Sequence, residues 1–224
     1  MGTKTANSEK SLYDYQLEDL NKIFTCFEES PDNINLLYQL PTGGGKTVIF
    51  SEIARRYIAQ TGKKVVVLTH RIELSQQTSR MLEGFGVHNK IINSEVKELP
   101  DEDQYQCFVA MVETLNNRLQ EKAIDLHGIG LVIIDEAHYN SFRKLFKYFE
   151  NSIILGVTAT PLSSNIKLPM KDHYKKLIVG ESISNLIEKN FLAKANMYSY
   201  DVSLKSLKLG IHGDYTVRSS DELY

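Results

Sequence analysis

The sequence predicts an α/β fold, a mainly parallel sheet with helices on both faces. Two observations carry the prediction. Short segments that are apolar throughout, such as Val65-Val66-Val67-Leu68 and Leu131-Val132-Ile133-Ile134, alternate with segments of helical period. Strands without a polar face belong to parallel sheets covered from both sides. The second observation is a pair of ordered motifs. A glycine-rich loop, Pro41-Thr42-Gly43-Gly44-Gly45-Lys46-Thr47, lies between a strand-like and a helix-like segment, and Asp135-Glu136-Ala137-His138 follows the second apolar run.

Taken in order, Asp14 is a candidate cap for a helix carrying Leu17, Leu20, Phe24 and Phe27, which stops near Ser30-Pro31-Asp32. Residues 33–40 read as a short buried strand leading into the glycine loop, and 46–59 as a helix with Ile49, Ile53 and Tyr57 on one face. The strongest strand is 64–69, followed by a helix over 72–85 that Gly86 ends. A strand near Ile91, an acidic loop at 100–103, a strand at 106–111 and a helix at 114–122 come next. The run 131–134 is a strand, 142–149 a short helix and 152–157 another strand. Beyond Pro161 the rhythm weakens, with a helix expected at 182–189 and an extended stretch at 193–200. The expected organisation is a disordered segment at 1–10, one domain over 11–200, and a linker or the start of a further domain at 201–224.

Composition bounds the function. At 224 residues, 42% hydrophobic and 24% charged, the chain has enough apolar surface for one large domain. The net charge of -2 means that any nucleic-acid contact comes from a local groove rather than the whole surface. Cys26 and Cys107 fit no metal or redox spacing and read as buried free thiols. Residues 1–10 are polar, without the apolar core of a signal peptide, and no run approaches the length of a membrane span. A cytoplasmic protein is expected, with no membrane partner.

The glycine loop is suited to phosphate. Gly43, Gly44 and Gly45 let backbone N–H groups turn inward without a Cβ in the way, and the helix that follows adds partial positive charge at its start. Thr42 to Thr47 form the cradle, with Lys46 reaching the β- and γ-phosphates of a nucleoside triphosphate and the Thr47 hydroxyl on Mg²⁺. The first glycine of the usual phosphate-loop pattern is replaced by Leu40. Asp135 and Glu136 stand where ligands bind in open α/β sheets. Asp135 suits Mg²⁺ and Glu136 suits polarising an attacking water.

With these motifs in order, the chain resembles the first RecA-like domain of a superfamily 2 helicase, a phosphate-loop nucleoside-triphosphatase fold, from Tyr13 to about Pro161. Within that superfamily it is most similar to the DNA-repair group containing XPB, UvrB and the type III restriction subunits. Tyr13-Asp14-Tyr15-Gln16 resembles the adenine-reading segment, which implies that Gln16 contacts the base. Leu40 to Thr47 is motif I as the superfamily writes it, which accounts for Leu40. Leu68-Thr69-His70-Arg71-Ile72-Glu73-Leu74 with Gln77 resembles motif Ia, implying nucleic-acid contacts by Thr69 and Arg71. Met111-Val112-Glu113-Thr114-Leu115 resembles the next contacting motif, implying a role for Thr114, with Glu113 where glutamine is more usual. Asp135 to His138 is motif II and Thr158-Ala159-Thr160 motif III. The resemblance makes His138, Thr158 and Thr160 the residues that couple nucleotide state to movement. Standing alone, His138 could be a strand-end polar residue, the two threonines plain strand residues and Arg71 a solvated cation. Lys63-Lys64 and Arg143-Lys144-Lys147 read as solvated faces.

The resemblance implies an ATP-dependent motor acting on nucleic acid, DNA favoured over RNA, that pairs with a second RecA-like domain. That second domain supplies arginines to the transferring phosphate, and after Thr160 this sequence has a lone arginine, Arg218, and no Arg-x-x-Arg pattern. A piece of a two-domain motor, slow at hydrolysis by itself, is therefore expected. Two other motors share the motifs: a duplex-DNA translocase of a restriction or remodelling system, and an RNA helicase. A non-hydrolysing nucleotide-gated module is disfavoured because Lys46, Thr47, Asp135 and Glu136 are all present.

Overall fold

A computed structural model of the protein describes residues 12–30, 34–96, 104–121, 127–194 and 196. The chain divides into the units Met1–Leu192 and Ala193–Tyr224, and the first contains every element described below. The segments expected at 1–10, 100–103 and 201–224, and most of 193–200, lie outside the described residues.

Seven strands form one sheet: β1 (Asn35–Gln39), β2 (Lys64–Thr69), β3 (Asn89–Ile92), β4 (Cys107–Met111), β5 (Ile129–Asp135), β6 (Ile153–Thr158) and β7 (Lys176–Val179). Their order is β3-β4-β2-β5-β6-β1-β7, and every pairing is parallel. The helices are α1 (Asp14–Glu29), α2 (Lys46–Thr61), α3 (Ile72–Gly84), α4 (Val112–Gln120) and α5 (Ile183–Glu188), with short 3-10 helices at Asn140–Tyr148 and Met170–Asp172.

Alternation along each strand divides the core in two. Val65 and Val67 of β2, Leu131 and Ile133 of β5, and Leu155 and Val157 of β6 pack with α1, α2 and α3 through Leu20, Ile53 and Leu82. Val66, Leu68, Val132, Ile134 and Ile154 face the other way, onto Leu115 of α4, Phe142 and Leu145 of the first 3-10 helix, and Tyr174. All seven residues of β5 are buried, as a strand flanked on both edges and covered on both faces must be.

Three local expectations are corrected. Asp14 does not cap α1: the cap position is Tyr13, in extended conformation, and its N–H donates to Gln16 Oε1 at 3.0 Å. The helix expected from Thr114 begins two residues earlier at Val112, directly where β4 ends. Arg143 is no solvated cation, because its guanidinium donates to the carbonyls of Leu168 and Pro169 and anchors the loop after β6. One strand was not anticipated. β7 buries only Ile178 of its four residues and is held by backbone pairing to β1, from Leu36↔Lys176 to Gln39↔Val179.

Candidate functional site

Parallel register brings three strand ends side by side. Gln39 at the end of β1 pairs with Thr158 at the end of β6, and Val157 pairs with Asp135 at the end of β5. Everything that follows those ends in sequence therefore gathers at one carboxyl edge, the place where ligands bind in open α/β sheets.

The glycine loop leaves β1 and turns into α2. Gly43 and Gly45 have φ of 84° and 88°, in the left-handed region. The positive φ favours glycine at 45, and a Cβ there would also stand 2.5 Å from Gln16 Nε2, displacing the amide that lies against the loop. The Gly44 N–H closes a turn on Pro41 O at 3.0 Å, and the Gly44 carbonyl accepts from the Tyr15 hydroxyl at 2.8 Å and from Gln16 Nε2 at 3.4 Å. Thr42 is exposed at the mouth of the loop. The first bond of α2 runs from Ile49 N to Gly45 O, so the N–H groups of Lys46, Thr47 and Val48 are the orphan donors of a helix start. This is an anion site in form.

Asp135 ends β5 buried, and burial pushes its carboxyl up to about 6, aided by the Glu136 charge and opposed by Lys46 and by the Glu136 N–H that it accepts. Glu136 then adopts φ 53°, uncommon for a residue with a Cβ. The turn is fixed on its far side by Ala137 N donating to Val157 O at 3.0 Å. One Glu136 oxygen lies 3.7 Å from Lys46 Nζ and the other 3.3 Å from His138 Nδ1. His138 Nδ1 also lies 3.0 Å from Thr158 Oγ1. Thr158 spends its hydroxyl proton on Thr160 O and accepts from Thr160 N, both at 3.1 Å. The His138 Nδ1 must therefore carry the hydrogen in that pair. Lys46, Glu136, His138, Thr158 and the backbone of Thr160 form one continuous polar chain.

Thr47 and Asp135 supply one hydroxyl and one carboxylate. Among the described residues no cluster of three or more His, Cys, Asp or Glu could hold a metal ion. Such a sparse oxygen donor set fits Mg²⁺, which keeps waters and phosphate oxygens in its shell rather than a full protein cage.

A second cluster lies along the same edge, at β2 and β4, where Thr69 pairs with Met111. Arg71 is exposed at the start of α3, and Thr114 is half-buried in the first turn of α4. Thr69 is fully buried, its hydroxyl 2.6 Å from Ser75 Oγ. Its side chain therefore braces the loop, and the outward-facing groups are those of Arg71 and its neighbours. Glu113 forms an ion pair with Lys144. Sequence reasoning passed over Tyr15, which holds Gly44, and over Phe191, whose ring lies 4.6 Å from Tyr13 and 5.1 Å from Tyr15. The doublet of tyrosines flanking Asp14 was the available signal for the first; nothing local marks the second.

A family model described as "Type III restriction enzyme, res subunit" matches residues 9–163. The putative ATP-dependent helicase IRC3 of Saccharomyces cerevisiae is 28% identical over 214 residues, covering 89% of this chain and 30% of that protein. The ATP-dependent DNA helicase mph1 of Neurospora crassa is 34% identical over 146 residues, 58% of this chain and 12% of that protein. A solved structure of the Type ISP restriction-modification enzyme LlaGI with a DNA substrate mimic superposes with TM-score 0.61 at 18% identity, over 81% of this chain and 21% of that one. At that identity the structural likeness speaks for the fold. The chain spans about a third or less of the length of these relatives.

Proposed function

The chain belongs to the Type III restriction enzyme res-subunit family, a family of ATP-dependent helicase domains, and from that premise we propose how its residues act. The chain is the ATP-binding half of a motor that moves on DNA, working against a second RecA-like domain. The observation that carries this reading is the polar chain from Lys46 through Glu136 and His138 to Thr158.

ATP enters with its phosphates on the glycine loop and the start of α2. Lys46 exchanges Glu136 for the β- and γ-phosphates, a stronger, charge-assisted partner. Release of Lys46 leaves Glu136 free to accept a proton from the attacking water. Thr47 and Asp135 would hold Mg²⁺, which would neutralise charge on the phosphate oxygens. A cation beside Asp135 would favour its ionised form, whereas burial and the Glu136 charge favour the neutral acid. Gln16 reads the nucleotide through the Gly44 carbonyl as well as through the base. His138 passes a change at Glu136 to Thr158 and Thr160. Arg71 and Thr114 face the DNA backbone; contacts of that kind position a protein without reading sequence.

DNA is favoured because relatives such as mph1 are named DNA helicases. Cytoplasmic location is supported by two free thiols, and among the described residues no helix is long and apolar enough to cross a membrane. Glu136→Gln in the full natural protein tests the mechanism. ATP binding should persist while DNA-stimulated hydrolysis falls by about 10²–10⁴-fold. Unchanged turnover would remove Glu136 from its role.

A further inference from the structure

Between the nucleotide cluster and the Arg71 loop stands a row of three rings in tilted contact. The Tyr139 ring lies 4.3 Å from the His138 ring and 4.5 Å from the His70 ring, at interplanar angles of 37° to each. Tyr139 N also bonds to Glu136 O at 3.2 Å, so its backbone is tied to the turn that carries the general base. On the far side, His70 precedes Arg71, and its Nδ1 is buried without a hydrogen-bond partner among the described residues. Burial and the positive charge of Arg71 hold His70 below the ordinary imidazole range, against the opposing Glu136 charge, and so favour a neutral ring beside Tyr139.

We propose that Tyr139 is a positioning residue that couples the nucleotide site to the Arg71 loop by packing between His138 and His70. The inference rests on the proposed nucleotide site and goes beyond it. The sheet itself links β5 to β2 through backbone pairing, Leu68↔Ile134 among others. The rings are the side-chain route. His138 is held by Glu136 and Thr158, and both contacts change when Lys46 leaves Glu136 for a phosphate. A turn of the His138 ring moves the face against which Tyr139 packs. Tyr139 in turn sets the orientation of His70, and with it the backbone leading to Arg71.

The test uses this chain with ¹³C-labelled histidine, titrated with a non-hydrolysable ATP analogue and Mg²⁺. In the parent, the ring resonances of both His138 and His70 should shift. In Tyr139→Ala the His138 shift should remain and the His70 shift should disappear, whereas Tyr139→Phe should restore both. Tyr139 is 37% exposed, so truncation leaves the core filled. Tyr139→Leu, which keeps apolar bulk without a ring, should behave as Tyr139→Ala and guards against a loss of packing. An undiminished His70 shift in both ring-less variants overturns the proposal, as does a parent in which His138 responds and His70 does not. If neither ring responds in the parent and Lys46→Ala binds the analogue as the parent does, the nucleotide-site reading itself falls, and this inference with it.

Discussion

The carboxyl edge of the sheet has two halves that hold their functional groups differently. At β1, β6 and β5 the polar side chains are partnered: Gln16 with Gly44, Lys46 with Glu136, His138 with Thr158. Even the backbone is constrained, with Glu136 in the left-handed region. At β2 and β4 the hydroxyl of Thr69 is turned into the protein while Arg71 is exposed on the surface. The contrast matches two chemistries. Stabilising charge on a reacting phosphate needs donors already in place, whereas attraction to a nucleic-acid backbone tolerates a flexible cation. Tyr139 is where the ordered half meets the permissive one.

Substitutions can break this comparison, and the largest effect should come from the ordered half. Asp135 is raised to about 6 by burial, so it burdens the folded state by an amount that grows as pH rises from 3.8, is complete above about 6, and vanishes below 3.8. Asp135→Asn should therefore be more stable than the parent by on the order of 3 kcal/mol at neutral pH, with the gap closing near pH 4. Denaturant unfolding at several pH values in Mg²⁺-free buffer measures it. A pH-independent gap would show that burial is not what raises this group.

Next is Lys46→Ala, which should weaken nucleotide affinity by about 10- to 100-fold, as expected for loss of charge-assisted bonds. A fluorescent-nucleotide titration reads this directly, and parent-like affinity would contradict the cradle. Thr158→Val keeps the shape of a fully buried side chain but leaves Thr160 N without its partner and His138 Nδ1 with Glu136 alone. A stability loss of about 1–3 kcal/mol is expected, read as a lower denaturation midpoint. The smallest effect belongs to the permissive half. Arg71→Ala should leave nucleotide affinity and stability unchanged and reduce the salt dependence of oligonucleotide binding by about one phosphate contact. If it instead lowered nucleotide affinity as much as Lys46→Ala does, the two halves would not be separable.

The elements read from sequence were those whose burial is two-sided or whose period is regular. β2 and β5 are apolar at nearly every position and could not be mistaken, and α1, α2 and α3 follow from spacing. β7 escaped because an edge strand with one buried residue has no such pattern; its pairing to β1 comes from backbone groups that every residue carries. The cap of α1 was misassigned for a related reason. Asp14 has the right chemistry, but the Gln16 amide, placed between α1 and the glycine loop, satisfies the Tyr13 N–H first. Thr69 looked like a contact residue because its neighbours do, and only the fold shows its hydroxyl spent on Ser75.

The amino-acid sequence by itself determined the class of fold and the chemical inventory: a phosphate cradle needs its glycines, lysine and threonine consecutively, and two carboxylates at a strand end are local features. Tertiary structure decided which of these groups touch. Glu136 meets Lys46 across 90 positions, Tyr15 reaches Gly44 across 29, and Tyr139 finds His70 across 69. Those meetings depend on strand order and register, which are set by how the whole sheet packs and not by any short stretch of chain.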